Sequence, residues 1–435
     1  MRAFILESDR TVAPFGDPVS QTWIGDRRLR EHQERGLTEL GFEVRRVRDF
    51  AAIDDPEYLL VQDHVFFSAG VLRRFVDGAR AAAPGVSSVL ALPRGPFVEF
   101  THRIQDLRFE KDFSFASGER ALYGIFWVRS RVASLSALVE TARREVIEIR
   151  EWSFPVDLSA MGARGRTMAV PITTGVVMHV CHWVHVWQAN LFSIGLSWAR
   201  VLLHRKAWAT WVLLRSLAAT SRGRIAFGFL GRLNVIGRGS TIHPSAVVEG
   251  SILGEGVTVN AGAQVRFSVL GGGASVGEQA IVNGSVVGDK TIVAQQALLN
   301  LSAVYPESFV KTIQGGLVGS ESFVGGRVRF YDLKLEGTIE VESDGGLADT
   351  GLNFLAGCVG HGVSISGPVW VYPGRSIPNG YRIIQHPKQV LGRIPLGLDT
   401  GEFLVNQGGK LVTMSSTRAS KARPPGKSDA GSGGE

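Results

Sequence analysis

The sequence predicts an alternating α/β layer followed by a parallel β-helix built from coils of about seventeen residues. Three observations carry that prediction. Aliphatic residues recur at a seventeen-residue interval in three columns: Ile236, Leu253, Leu270, Val287, Val304; Ile242, Val259, Val276, Val293; and Val248, Val265, Val282, Leu299. Small residues keep the same register, as Ala246, Ala263, Ala280, Ala297 and Ser251, Ser268, Ser285, Ser302. Upstream, residues 1–160 alternate short apolar runs with stretches of helical length.

Within each repeat the aliphatic positions are spaced six, six and five. A short strand and a corner, taken three times, make one three-sided coil, and neither a helix nor a flat sheet imposes such a period. A strict six-residue spacing returns at Val359, Ile365, Val371, Ile377 and Ile383. The chain holds 53 glycines, as expected where many tight corners need unusual backbone angles.

In the N-terminal part, Ala3–Leu6 reads as a short buried strand. Residues 27–41 read as a polar-faced helix ending at Gly41, and 57–67 as a second buried strand. A helix over 69–83, a strand over 86–92, a strand over 120–128 and a helix over 130–146 continue the alternation. This order predicts a mostly parallel sheet. The domain plan is then 1–160 for the α/β layer, 161–235 for a basic, Trp-rich helical connector, and 236–412 for the coils. An insertion at about 305–356 carries a hairpin or edge strands, and 413–435 forms a tail too polar to order itself.

A chain of 435 residues supports two or three domains with substantial cores. Two cysteines, Cys181 and Cys358, build no disulfide framework and fit a reducing, cytoplasmic setting, and the charged N-terminus does not read as a signal peptide. The net charge of +7 is concentrated: between Asp157 and Glu249 there is no acidic residue but ten Lys or Arg, and five of the nine tryptophans. From Thr167 to Ala199 no charged residue occurs, a length that spans a bilayer, but His179, His182, His185, Gln188 and Asn190 lie in its middle, where polar groups are expensive. The alternatives are a helix lying on an anionic membrane surface, which makes 161–235 a peripheral anchor, or a helical clamp packed between two domains. His182 and His185 also stand at metal-ligand spacing, with Cys181 alone nearby. The basic stretch carries no nucleic-acid-binding motif, so no nucleic-acid partner is expected.

The stretch from Ile236 to Val259, with its IGRGS and IHPSA corners, resembles the left-handed β-helix of hexapeptide-repeat transferases, whose coils usually have eighteen residues. An α/β domain preceding such coils resembles the sugar-1-phosphate nucleotidyltransferases and their bifunctional acyltransferase relatives. Trp23–Leu37 is similar to the segment following the family's nucleotide loop. The stretch Tyr58–Phe75 resembles the strand whose terminal aspartate binds magnesium, which maps to Asp63. Tyr123–Val128 is similar to the sugar-side strand, and Glu151–Met161 to the segment with the second metal aspartate, which maps to Asp157. The resemblance thus implies a nucleotidyltransferase-like domain plus a left-handed parallel β-helix, and a homotrimer packed through coil faces. It also implies a nucleotide or sugar-phosphate ligand and Mg2+ held by Asp63 and Asp157. Two carboxylates suit that ion, which needs hard oxygen donors.

The departure falls on the nucleotide loop. Residues 5–18 lack paired glycines, and Glu7 and Asp9 stand where phosphates would sit, with Arg10 as the stand-in for the loop arginine. A carboxylate facing a phosphate is repulsive, so the resemblance implies nucleotidyl transfer that is weakened or lost. Three readings follow. The first is a transferase relative that keeps ligand binding through Arg10, Asp63 and Asp157. The second is an acyltransferase with His361 as general base, a role suited to imidazole. The third is a non-catalytic oligomeric scaffold docked to a membrane or a partner. His243 and His386 read as corner and turn residues.

Overall fold

A computed structural model describes residues 1–115, 117–130, 132, 134–157, 167–207, 210–211, 233–343, 345–391 and 403–414. The tail and most of 208–232 therefore lie outside the described residues.

The N-terminal part is one mixed sheet. Across it run Arg143–Val146, Ser88–Pro93, Glu119–Val128, Tyr58–Gln62, Arg2–Leu6 and Glu43–Val47, with Arg108–Lys111 pairing on Glu119–Val128. Arg2–Leu6 is parallel to both neighbours (Ala3 opposite Val44 and Leu59), whereas Glu119–Val128 is antiparallel to all of its own. The expected mostly parallel sheet is thus mixed. Glu119–Val128 follows Arg108–Lys111 by a short return rather than a helical crossover, so it re-enters the sheet reversed.

Among the described residues, the helices that dress the sheet are α1 (Leu29–Thr38), α2 (Ala69–Ala81), α3 (Pro96–Thr101), α4 (Leu135–Thr141) and α5 (Trp183–His204). The strand period of two divides their contacts. Ile5, Leu59, Val61, Leu90, Leu92, Ile125 and Trp127 face the core shared with α1, α2 and α5, while Phe4, Leu60, Val89 and Phe126 face α4 through Leu138.

The expected strand over 57–67 breaks into Tyr58–Gln62 and Val65–Phe67. Gln33 of α1 holds the break open by donating from its amide to the carbonyls of Gln62, Asp63 and Val65 at 3.1, 3.1 and 2.9 Å. The helix expected over 130–146 is only α4, and Arg143–Val146 returns to the sheet. The connector is also less helical than its sequence predicts. Glu151–Asp157 pairs antiparallel with Thr167–Thr173, Val177–His179 pairs with Val65–Phe67, and only then does α5 begin.

In the coils, Val235, Ile252, Val269, Val286 and Ala303 pair in parallel succession, as do Thr241, Thr258, Ser275, Ile292 and Phe309, each step being seventeen residues. The columns point inward: Val259, Val265, Leu270, Val276, Val282, Val293 and Leu299 are at most 1% exposed. Corners are stacked in register too. Gly250, Phe267, Gly284 and Leu301 hold φ of 58°, 47°, 55° and 48°, so the left-handed corner is a property of the coil that non-glycine residues accept. The serine column is a hydrogen-bond ladder: the Ser268, Ser285 and Ser302 amides donate to the Oγ of Ser251, Ser268 and Ser285 at 3.1–3.2 Å.

The interruption is shorter than 305–356. Ala303 pairs with Leu317 and Phe309 with Phe323, so a fourteen-residue coil follows Val304. The chain leaves the stack only after Arg329–Phe330, makes the hairpin Glu340–Ser343 with Gly346–Asp349, and rejoins at Gly357–Val359 beside Leu317–Val318. A coil three residues shorter breaks the seventeen-residue column and so hides itself in the sequence. From there the step is eighteen residues, with Gly357 opposite Arg375.

The sheet and the coils form one body through α5. Trp187 donates to the Leu301 carbonyl at 2.7 Å and Trp198 to that of Gly250 at 2.9 Å, both in the same corner column. Eleven helical residues rise about 16 Å, and three coil steps rise about 14 Å. The helix therefore lies along the stack and runs against its direction. Its first half is buried, including His185, Gln188 and Asn190. Among the described residues no helix is long and apolar enough to cross a membrane.

Candidate functional site

The strand ends of the N-terminal sheet gather Asp63, Ser8, Arg10, Tyr123 and His179. Asp63 sits where Tyr58–Gln62 ends, with its amide donating to the Leu6 carbonyl at 3.1 Å. Its carboxylate is 2% exposed and accepts from the Ser8 amide at 2.8 Å and the Ser8 hydroxyl at 2.9 Å. It therefore pins the loop after Arg2–Leu6, and no oxygen faces solvent in this arrangement. His64 places Nδ1 3.6 Å from Asp63 Oδ1.

The loop after Arg2–Leu6 packs inward. Val12 and Phe15 are 0% and 3% exposed, and Thr11–Val12 pairs with Asp17–Pro18. Glu7 lies 3.5 Å from Arg46 and 3.8 Å from Arg48, which offset its charge. Arg10 binds Asp106 at 2.8 Å and lies 3.7 Å from Cys181 Sγ; the hydrogen bond to Asp106 raises its pKa.

His179 fills the space above the strands. Its Nε2 accepts from the Gly124 amide at 3.0 Å, its Nδ1–H donates to the Asp106 carbonyl at 3.0 Å, and its ring packs on His64 and Tyr123 at 4.6 and 5.6 Å. Burial pushes its pKa well below the ordinary value. Asp157 ends the strand Glu151–Asp157 opposite Thr167, in a two-stranded sheet separate from the one carrying Asp63, and its side chain lies outside the described residues. Among the described residues no three His, Cys, Asp or Glu side chains cluster as a metal site. With the Asp63 carboxylate engaged by Ser8, the described groups do not fit magnesium as they stand.

His182 and His185 are not a ligand pair. His182 accepts from the Val184 amide and donates to the Glu342 carbonyl at 2.9 Å; His185 accepts from the Cys181 amide and donates to the Arg103 carbonyl at 2.8 Å. With His179 they make three neutral imidazoles, each bridging one backbone N–H and one carbonyl. Their polarity, awkward for a bilayer, is what ties the connector to the sheet domain and the coil excursion.

His361 lies on the coils but faces the N-terminal loop. Its Nδ1 accepts from the Ser320 amide at 2.9 Å, so the proton sits on Nε2 and points to Asp17 Oδ2 at 3.0 Å. Phe15 and Tyr305 flank the ring at 4.8 and 5.8 Å, and Asn379 donates to the Phe15 carbonyl at 2.6 Å. A general base needs a free lone pair; here that lone pair already accepts from the backbone. Sequence reasoning missed the Asp17 partner because 344 residues separate the two. His243 accepts from Ser245 at an exposed corner, and His386 accepts from the Lys388 amide at a turn.

A family model described as the GMPPB C-terminal domain matches residues 228–318, the span of the seventeen-residue coils and the first fourteen-residue one. No curated protein matches the chain. Over its coiled segment, the chain is similar to the C-terminal domain of a sugar-nucleotide transferase.

Proposed function

We propose that this protein is a sugar-nucleotide transferase relative whose N-terminal domain binds a nucleotide or sugar phosphate, with nucleotidyl transfer weakened or lost. The observation that carries this is the GMPPB C-terminal domain match over 228–318, joined through α5 to an α/β sheet that ends a central strand in Asp63. The weakening follows from Asp63 and Arg10 being engaged by Ser8 and Asp106 rather than turned outward. Magnesium held by Asp63 and Asp157 belongs to the active form of this reading and requires Ser8 to release the carboxylate.

Homotrimerisation through coil faces is part of the same reading, supported by the exposed Phe267, Ile281, Ile292 and Phe323 on the coils. So is a cytoplasmic location with peripheral contact to an anionic membrane through the basic part of 161–235. A scaffold reading is favoured by one observation: Asp63, Arg10 and His361 all bind within the chain. An acyltransferase reading needs Ser320 to free His361.

Calorimetric titration of nucleoside triphosphates and nucleotide sugars with magnesium, on wild type, Asp63→Asn and Arg10→Gln, tests the proposal. Binding in the wild type that weakens in both variants, with little turnover, supports it. Absence of binding across the panel leaves the scaffold reading, and rapid turnover overturns the claim of weakened transfer.

A further inference from the structure

A second cleft, of about 330 Å³, opens where the Trp23–Ile24 and Arg27–Arg28 hairpin, the C-terminal half of α5 and one coil face meet. Its floor is apolar, formed by the outward-facing coil residues Ile252, Val269 and Val286. Its wall carries three guanidinium groups: Arg27, Arg35 and Arg200. Two have carboxylates of their own, Arg27 binding Asp26 and Arg35 binding Glu39 at 2.7 Å. The remaining carboxylate of the lining, Asp289, accepts from the Gly272 amide at 2.7 Å and so serves the coil. Among the described residues, none places a carboxylate within ion-pair distance of Arg200.

Arg200 is half-buried; burial first, then Arg35 and Arg27, lower its pKa, and Glu39 and Asp26 offset this only in part. A guanidinium partly withdrawn from water with no carboxylate at ion-pair distance is unfavourable unless an anion completes it, and planar forked donors suit a phosphate. Three cations of this kind beside an apolar floor match a ligand with one anionic and one ring-bearing end.

We propose that this cleft binds a phosphate-bearing small molecule, its phosphate held by Arg200 with Arg27 and Arg35 and its apolar part resting on the coil face at Ile252, Val269 and Val286. Because the cleft is framed by both domains and by α5, occupancy stabilises their docking. The proposal does not rest on the strand-end reading, since Asp63 is not part of this cleft.

The test uses the full chain, with inorganic phosphate and a nucleoside monophosphate titrated at constant ionic strength and followed by calorimetry and thermal unfolding. The expected result is saturable binding, tighter for the monophosphate, and roughly tenfold weaker in Arg200→Gln, about one hydrogen-bonded charge contact. Arg200→Lys loses less, and Arg73→Gln, an exposed arginine on α2, changes nothing. Asp63→Asn keeps this binding while losing any strand-end binding, so the two readings fail separately. Absence of saturation at millimolar ligand, or equal affinity in a folded Arg200→Gln, overturns the proposal. Equal affinity for phosphate and monophosphate overturns the role of the coil face.

Discussion

Mild acid unfolds the N-terminal body through its buried imidazoles, and the size of the effect follows from the structure. His185 is fully buried with its Nδ1 accepting from a backbone amide, and burial lowers its pKa from the ordinary 6.5 to about 3. His32, against the Ile24 carbonyl at 2.6 Å, is lowered to about 4, again chiefly by burial. His179 lies well below 6.5 for the same reason. Each group takes up a proton in the unfolded chain near pH 6.5 but not in the folded one. The unfolded state therefore binds more protons between about pH 6.5 and 4, and stability falls as pH falls through that window. From pH 7 to pH 5 His185 and His32 each remove about 2 kcal/mol, and His179 acts in the same direction, a substantial part of the whole stability of many domains. Carboxylates with lowered pKa, such as Glu110 beside Arg144, shift stability in the same direction at the acid end, while half-buried Glu151, whose pKa burial raises, opposes the trend in part.

Urea unfolding followed by the fluorescence of buried Trp183 and Trp187 gives the assay. The expected slope between pH 6 and 5 is about 2 kcal/mol per pH unit from His185 and His32, steepened by His179, and His185→Gln removes about 1 kcal/mol per pH unit of it while lowering stability at pH 7. A stability independent of pH from 7 to 5, or an unchanged slope in a folded His185→Gln, refutes the reasoning.

Other perturbations have defined outcomes. Ser268→Ala removes the acceptor of the buried Ser285 amide and costs about 1–3 kcal/mol, measured by chemical unfolding of the coils. Leu299→Ala, in a fully buried column position, costs about 2–5 kcal/mol by the same measurement. Gln279→Gly relieves a left-handed corner (φ 57°) and raises the melting temperature slightly, a gain below about 1 kcal/mol. Asp63→Ala frees the buried loop anchored at Ser8 and costs about 1–3 kcal/mol whatever its effect on ligand binding, so Asp63→Asn is the informative binding variant.

The coils were legible in the sequence because their structure is periodic. One column position repeats one environment, so the inward aliphatics, the corner glycines and the serine ladder each leave a mark every seventeen residues. The N-terminal strands and helices were legible for a related reason, since local burial alternates with local exposure. Tertiary structure decided what depends on residues far apart. The break at Asp63–His64 exists because Gln33 binds three carbonyls there, and strand direction at Glu119–Val128 depends on which neighbour it meets first. The same holds for the site residues. Ser8, Asp106 and Asp17 take up hydrogen-bonding capacity of Asp63, Arg10 and His361, and no spacing announces those partners. Composition could likewise not tell an interfacial helix from a clamp along 183–204, because both want tryptophans and an apolar stretch. The polar groups of its buried half decided for the clamp over that half: His185, Gln188 and Asn190 donate to backbone carbonyls of the N-terminal part, and Trp187 donates to Leu301 on the coils. A sequence fixes which groups are available, and only the packed chain fixes which of them remain free.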